Sequence, residues 1–297
     1  MKPRIIAIAG PTASGKTDLS IQIAQQLKTE IISFDSRQFY RELNIGVARP
    51  SPDQLSAVTH HFIANRSILE PYSAASFGAE ARKSINNILN SNDFVVLCGG
   101  TGLYLKAVLE GFSPLPQTPP EIRQQVNSLW TNEGVPGLIR LINSKDPEAL
   151  LKVEKQNPAR LKRAAELLLN SEDRTLSELY ATKTDPIEHS YMIFNLNPDK
   201  AALYERIEQR VDNMLSSGLI EEVKSLTEYN TLPVLKTVGY SELFDFFDGK
   251  CSMDEAVLKI KQHTRNYAKR QLTWFKNQTH GTFLQPERAA ISILNAI

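Results

Sequence analysis

Apolar residues along this chain fall into two repeating patterns: short unbroken runs, and positions spaced by three or four. Ile5-Ile6-Ala7-Ile8-Ala9 is unbroken, and Leu19, Ile23 and Leu27 recur at fours behind it. The run predicts a buried parallel strand and the spacing predicts an amphipathic helix. The pair recurs. Residues 29–34 predict a second strand, and residues 73–90 a helix with Phe77, Ala81, Ile85, Ile88 and Leu89 on its apolar side. Residues 93–98 form a further apolar run, residues 191–196 read as a returning core strand, and residues 199–217 as a helix built on Leu203, Ile207, Val211, Met214 and Leu215. Strands alternating with helices predict an α/β fold, a parallel sheet core flanked by helices. Residues 44–72 carry no such period and read as loop.

The pattern changes between the last two strands. Pro114, Pro116, Pro119 and Pro120 mark a boundary. After it come helical windows at 120–132, 134–143, 147–154, 158–170 and 176–182, with no strong strand among them. Residues 113–190 are therefore expected to form an all-helical insertion domain. Residues 1–112 and 191–297 would form the core that carries it.

The turn between the first strand and first helix is Gly10-Pro11-Thr12-Ala13-Ser14-Gly15-Lys16-Thr17. Its spacing, G-x-x-x-x-G-K-[ST] between strand and helix, is that of a phosphate-cradling P-loop. Gly10 and Gly15 let backbone amides turn toward phosphate oxygens, and a side chain at Gly15 is expected to collide. The helix N-terminus adds positive partial charge. Lys16 adds a full charge, and the Thr17 hydroxyl is a candidate ligand for magnesium. These eight residues do not say which phosphate compound they hold.

Composition narrows the class. Hydrophobic content of 41% and charged content of 23% are those of a globular protein with a sizeable core, and the net charge of +1 leaves nucleic-acid affinity to local patches. No apolar run approaches the length of a membrane span. Met1-Lys2-Pro3-Arg4 leads directly into a strand and lacks the layout of a signal peptide. Cys98 and Cys251 are far apart and read as two thiols in a reducing compartment.

Other candidate chemistry sits at strand ends and on helices. Asp35 follows the second strand, where ligands of parallel sheets bind. It would act on a ligand or cap a following helix with Ser36, and its position leaves both open. Gly99-Gly100-Thr101-Gly102 follows the 93–98 run, so backbone approaches a ligand there and Thr101 is the side chain able to hydrogen-bond it. His60-His61 point different ways on any regular element, which favours a wall or structural role over a metal site. Lys155, Arg160, Lys162 and Arg163 make a basic patch at a helix start, suited to polyanion phosphates or simply to solvent. Arg206 and Arg210 lie one turn apart. From Ala256 to Pro286 there is no acidic residue, while Lys259, Lys261, Arg265, Lys269, Arg270 and Lys276 all fall outside the packing stripe of Val257, Ile260, Thr264, Tyr267, Gln271 and Trp274. A long helix with a basic exposed side reads as a nucleic-acid surface. Three classes stand at this point: a small-molecule kinase, an enzyme that uses the diphosphate as a leaving group and acts on nucleic acid, and a nucleotide switch or RNA-binding module. The switch lacks a strand followed by Asp-x-x-Gly and an Asn-Lys-x-Asp base reader. The kinase lacks a short arginine-rich lid.

These residues also resemble a known family. The loop at 10–17, Asp35-Ser36-x-Gln38-x-Tyr40, Ile45-Gly46, His60-His61, Tyr72-Ser73, Gly99-Gly100-Thr101-Gly102-Leu103-Tyr104, Arg206-Ile207 to Arg210, Val238-Gly239-Tyr240 and Lys269-Arg270-Gln271 are similar, in the same order, to tRNA dimethylallyltransferases of the bacterial type. The resemblance implies a P-loop NTPase-like core with the helical insertion contacting tRNA. It implies transfer of a dimethylallyl group from dimethylallyl diphosphate to the N6 amine of adenine 37, in tRNAs reading codons that begin with U. An isopentenyltransferase acting on free AMP or ADP, and a small-molecule P-loop kinase, are the alternatives.

By the same resemblance, Gly10, Pro11, Thr12, Ala13, Ser14, Gly15, Lys16, Thr17 and Arg206 bind the diphosphate, and Thr17 holds Mg2+. Asp35, Thr101, Lys16 and Arg206 carry the chemistry, with Asp35 as the base. The tRNA contacts implied are Asp35, Ser36, Arg37, Gln38 and Thr101, then Arg123, Ala159, Arg160, Leu161, Lys162 and Arg163. Lys236, Thr237, Val238, Gly239, Tyr240 and Ser241 complete them, with Lys269 and Arg270 on the basic helix. Phe39, Tyr40 and Tyr104 are expected as walls for the prenyl chain or the base. Arg49-Pro50 stands where the family usually has Lys-Pro, and Phe39 where it has valine. A chain without the zinc-finger tail of eukaryotic relatives is expected to be a cytoplasmic, monomeric enzyme with tRNA and dimethylallyl diphosphate as partners and no membrane.

Overall fold

The computed structural model describes residues 4–112, 115–171, 174–181 and 185–297. Met1, Lys2 and Pro3, Pro114 of the expected proline boundary, and Thr182 at the end of the last predicted insertion helix lie outside these residues. The described chain divides into two compact units, one of Met1–Leu109 with Ile187–Ile297 and one of Glu110–Pro186. The sequence pattern put these boundaries at 113 and 190.

The larger unit is built on a six-stranded sheet in the order β3-β2-β4-β1-β5-β6, with each neighbouring pair parallel. The strands are β1 (Ile5–Ala9), β2 (Ile31–Ser33), β3 (His60–His61), β4 (Val95–Gly99), β5 (Tyr191–Leu196) and β6 (Thr282–Leu284). Every residue of β1 is buried, because helices cover both faces of a parallel sheet. The alternation of strand side chains divides the core in two. Ile5, Ala7, Ile32, Val95 and Leu97 face one layer, while Ile6, Ile8, Ile31, Val96 and Phe194 face the other.

The helices of this unit are α1 (Lys16–Gln26), α2 (Pro52–Ala57), α3 (Ala74–Leu89) and α4 (Gly102–Leu109), followed after the insertion by α9 to α13. Those five are α9 (Lys200–Ser216), α10 (Leu219–Ser225), α11 (Tyr240–Phe247), α12 (Met253–Gln278) and α13 (Pro286–Ala296). The loop-rich reading of 44–72 hides α2 and β3. His60 and His61 pair with Ile31 and Ile32 at the sheet edge, and a two-residue strand leaves no period to read. Strand β6 and helix α13 close the other edge, where Ala289 and Ile293 are fully buried.

The smaller unit contains only helices among its described residues: α5 (Pro120–Lys145), α6 (Ala149–Lys152), α7 (Pro158–Leu169) and α8 (Leu176–Ala181). Helix α5 breaks at Gly134, whose φ of 62° is left-handed, matching the gap between the predicted 120–132 and 134–143 windows. Val126, Leu138, Ile142, Leu161, Ala165 and Leu168 form a core internal to this unit. The buried Asp146 carboxylate accepts from the Ala149 amide at 3.1 Å and the Leu176 amide at 2.8 Å, tying α6 to α8. Among the described residues, no helix is long and apolar enough to cross a membrane.

Candidate active site

All parallel strands point their carboxyl ends to the same edge of the sheet, and ligands of such sheets bind there. The loop after β1 begins at Gly10, where a Cβ would sit 3.0 Å from Ser14 Oγ and 3.1 Å from Leu196 Cβ. Gly15 has φ +83° and no atom within 4 Å of its would-be Cβ. The collision expected there is therefore not with the protein; glycine is required because a left-handed residue must start α1. Ala13 also holds a positive φ, 62°, a conformation that costs an alanine on the order of 1 kcal/mol. The Ser14 Oγ is buried with no hydrogen-bond partner.

Lys16 Nζ donates to the Pro11 carbonyl at 3.1 Å. Burial of the ammonium pushes its pKa below the ordinary lysine value, Cys98 and Asp35 oppose that shift, and Arg210 adds to it. Arg210 donates to the Thr12 hydroxyl at 3.3 Å and is itself pushed down by burial. Of the two arginines one turn apart on α9, Arg210 is the one that lines the cavity over the loop. The Arg206 Nε is buried without a hydrogen-bond partner.

Asp35 does not cap a helix. Its Oδ1 accepts from the Arg37 amide at 3.0 Å, closing a local turn. The Thr101 hydroxyl accepts from the Ser36 amide at 3.2 Å and meets Ser36 Oγ at 3.3 Å, so the ends of β2 and β4 are joined. Tyr267 of α12 completes this group. Burial first, then the Asp35 charge, raises its phenol to about 12, against the opposing effect of the neighbouring Thr101 hydroxyl. Gln271, one turn on, bridges two loops: its Oε1 accepts from the Thr12 amide at 2.9 Å and its Nε2 donates to the Gly100 carbonyl at 2.8 Å. Sequence reasoning put Tyr267 and Gln271 in the packing stripe of α12. The stripe does pack inward, but onto the site.

Two cavities meet here. One, of 470 Å³, is lined by residues 12–18 of the loop, by Asp35 and Gln38, by residues 47–52 and by Arg210. The other, of 290 Å³, shares Thr12, Lys16, Asp35 and Arg210 with the first and extends to Thr101 and Tyr267. Its far wall is mostly apolar: Val47, Val211, Met214, Leu219, Val238 and Ile260. The aromatic wall expected from Phe39, Tyr40 and Tyr104 is not there. Phe39 is fully buried and stacks on Phe77 at 5.1 Å in the core behind the site. None of the three lines either cavity.

The remaining expected contacts divide. Thr237, Val238 and Gly239 line the second cavity and so does Arg37, whose Nε is buried and unpartnered. Gln38 is spent internally, donating to the Val47 and Ala48 carbonyls at 3.3 and 2.9 Å. Tyr240 is fully buried, and its hydroxyl donates to Glu222 at 2.6 Å; the side chain is a strut and not a tRNA contact. Leu161 is likewise a core residue of the helical unit. There Arg123 is exposed beside Gln124, Asn127 and Ser128, and Ala159 and Arg160 are exposed on α7. The patch on α7 is less purely basic than its segment. Arg160 pairs with Glu154 at 3.0 Å, Arg163 with Glu166 at 3.4 Å and Thr118 at 2.6 Å, and Lys162 donates to Asn127 at 3.1 Å.

The acid-free face of α12 is also partly neutralised, because α9 brings acids to it. Lys261 pairs with Asp212 at 2.7 Å and Arg265 with Glu208 at 2.8 Å. Lys259, Lys269, Arg270 and Lys276 remain exposed. Among the described residues, no group of three or more His, Cys, Asp or Glu is arranged to hold a metal ion.

Comparison with known proteins points one way. A model of the IPP transferase family matches residues 38–278. A tRNA dimethylallyltransferase of Flavobacterium johnsoniae is 41% identical over 278 residues, which is 92% of this chain and 90% of that protein. One of Chlorobium limicola is 43% identical over 303 residues, covering 98% of this chain and 95% of that protein. The crystal structure of a full-length tRNA isopentenylpyrophosphate transferase from Bacillus halodurans superposes with a TM-score of 0.72 at 31% identity, over 99% of this chain and 95% of its own. A eukaryotic dimethylallyltransferase acting on tRNA shares the fold, with a TM-score of 0.81 at 23% identity, over 99% of this chain and 79% of its own. The fold is P-loop NTPase-like.

Proposed function

The chain belongs to the IPP transferase family, and from that premise we propose that it is a tRNA dimethylallyltransferase that moves the dimethylallyl group of dimethylallyl diphosphate to the N6 amine of adenine 37. The observation that carries this reading is the junction of the two cavities. A phosphate cradle opens directly into an apolar space, and Asp35 and Thr101 stand beside it. A kinase would place a polar acceptor beyond the phosphates. Here the second cavity sets Val47, Val211, Met214, Leu219, Val238 and Ile260 opposite the polar groups it shares with the cradle and beside Thr101, Thr264 and Tyr267, and that apolar stretch suits a five-carbon chain.

In this reading the diphosphate takes the loop and the prenyl chain takes the apolar cavity. The N6 lone pair forms a bond to the allylic carbon as the carbon–oxygen bond to the diphosphate breaks. The electron pair leaves with the diphosphate, and the N6 proton passes to Asp35. Negative charge grows on the leaving group, so the groups that meet it accelerate the step. These are Lys16, Arg210 and the backbone amides of the loop. The unpartnered Ser14 Oγ, in the lining of the first cavity, is a further donor. Adenine 37 must leave its stack to reach the amine's position, at a cost of a few kcal/mol.

The residues present fit a magnesium ion. Thr17 and Asp18 line the diphosphate cavity and offer hard oxygen donors, few enough that substrate and water would complete the shell. Magnesium there would neutralise charge on the departing diphosphate. The exposed Lys259, Lys269, Arg270 and Lys276 of α12, and Arg123 and Arg160 of the helical unit, are the proposed backbone contacts to tRNA.

The test is mass analysis of tRNA after incubation with the full chain and labelled dimethylallyl diphosphate, with AMP as parallel acceptor. A mass increment on adenine 37, and none on AMP, is expected. Transfer to AMP at comparable efficiency would overturn the tRNA reading.

A further inference from the structure

One carboxylate outside the reacting groups is unusually engaged. Glu222 on α10 accepts three successive backbone amides: Asn44 at 3.1 Å and Ile45 at 2.7 Å on Oε2, and Gly46 at 3.0 Å on Oε1. Oε1 also accepts from the Tyr240 hydroxyl at 2.6 Å. The amides lie in the loop that supplies Gly46, Val47 and Ala48 to the apolar cavity, and Tyr240 follows Thr237, Val238 and Gly239, which supply its facing wall. Leu219, on the same face of α10 as Glu222 one turn earlier, lines the cavity as well. The clasp is tight: a Cβ on Gly46 would sit 2.5 Å from the Tyr240 ring.

All of these partners are donors, and an ionised carboxylate is the one side chain that only accepts. A glutamine would satisfy one oxygen's share and set its NH₂ against the donors of the other. From this geometry we infer that Glu222 is a positioning residue that sets the width of the apolar cavity, and so the size of the isoprenoid that the site accepts. The inference rests on the proposed prenyl transfer. It assigns no chemistry to Glu222: the carboxylate holds the two walls at one separation, and the substrate meets the walls. Arg49, whose charge Glu222 also feels, ties the same loop further, with its guanidinium donating to the Tyr40, Arg41 and Leu43 carbonyls.

The experiment compares donors of five and ten carbons, dimethylallyl and geranyl diphosphate, on one tRNA with the full-length chain and with Glu222→Gln, Glu222→Ala and Tyr240→Phe. The wild type should prefer the shorter donor. In Glu222→Gln and Glu222→Ala the ratio of kcat/KM for geranyl over dimethylallyl should rise about tenfold, the scale of discrimination that an apolar pocket makes. The KM for dimethylallyl diphosphate should rise more than kcat falls, and inhibition by inorganic pyrophosphate should be unchanged. Tyr240→Phe keeps the ring and loses one donor, so it should fold and shift the ratio in the same direction by less. An unchanged donor ratio in Tyr240→Phe and in whichever Glu222 variant folds would overturn the inference, and so would equal loss with both donors. A wild type that prenylates no tRNA with either donor would instead overturn the proposed function, so the two failures are distinct.

Discussion

The side-chain oxygen of Gln271 accepts the Thr12 amide at 2.9 Å, across 259 residues of chain. Its nitrogen donates to the Gly100 carbonyl at 2.8 Å. One buried amide therefore fixes the phosphate loop, the Gly100–Thr101 turn and α12 relative to one another. Gln271→Leu leaves both backbone groups without a partner, and Gln271→Glu turns the second bond into a repulsion. Either change should lower kcat/KM about tenfold or more, in line with the loss of buried hydrogen bonds. Steady-state kinetics with labelled donor checks this; wild-type kcat/KM would show that packing alone holds the loops.

Asp35→Asn keeps an acceptor for the Arg37 amide and removes the proposed base. Turnover should fall by about 10²–10⁴, while tRNA affinity measured by filter binding stays within about twofold of wild type. Surviving turnover would reduce Asp35 to the keeper of its turn.

Lys16 carries a charge that folding disfavours. Its folded-state pKa is lowered, chiefly by burial, so in folding it carries an unfavourable charge. That burden is complete below the lowered value and is relieved as pH rises toward the ordinary lysine value. Lys16→Met should therefore raise Tm at pH 6 by about 2 °C, gain less at pH 10, and abolish transfer. Calorimetry at the two pH values tests the sign.

On α7, Arg160 and Arg163 should separate. Arg160 is exposed and held by one surface ion pair, which is worth little. Arg160→Ala should weaken tRNA binding and lower the salt slope of log K by about 1. Arg163 joins α7 to Thr118 and to the Pro116 carbonyl, so Arg163→Ala should lower Tm. Binding titrations across salt, with melting curves for both variants, distinguish the roles.

Two glycines make a sharper contrast than either does alone. Gly15→Ala meets no atom but must hold φ +83°, a strain of about 1 kcal/mol. Gly102→Ala would drive a Cβ into the Trp274 ring, at about 1–3 kcal/mol. Chemical denaturation should rank Gly102→Ala as the more destabilised.

Much of the core was readable because its signals are local. The loop at 10–17 carries its spacing within eight residues, and the buried runs of β1 and β4 need no context. The helix break at Gly134 was readable too, since glycine and proline act where they stand. What lay hidden was whatever depends on distant partners. Two residues of β3 hold no period. Tyr267 and Gln271 sit at the right interval for packing, and only the fold shows that the surface they pack on is the site. Glu222 binds backbone amides, which leave no mark in a sequence. The exposed charge of α12 is smaller than its own segment implies, because Asp212 and Glu208 reach Lys261 and Arg265 from another helix. Phe39, Tyr40 and Tyr104 follow site residues in sequence, yet the chain turns them into the core.

At the neck of the helical unit, the Ile187 amide donates to the Leu109 carbonyl at 2.9 Å. The larger unit thus closes behind residues 110–186, and those residues keep a core of their own. A segment that leaves and re-enters through so narrow a gate can lengthen, shrink or diverge without disturbing the strands on either side. Change in that segment could then accumulate while the groups at the sheet edge stayed fixed. Inheritance would then treat the chain as two texts, one interleaved in the other and each open to revision at its own pace.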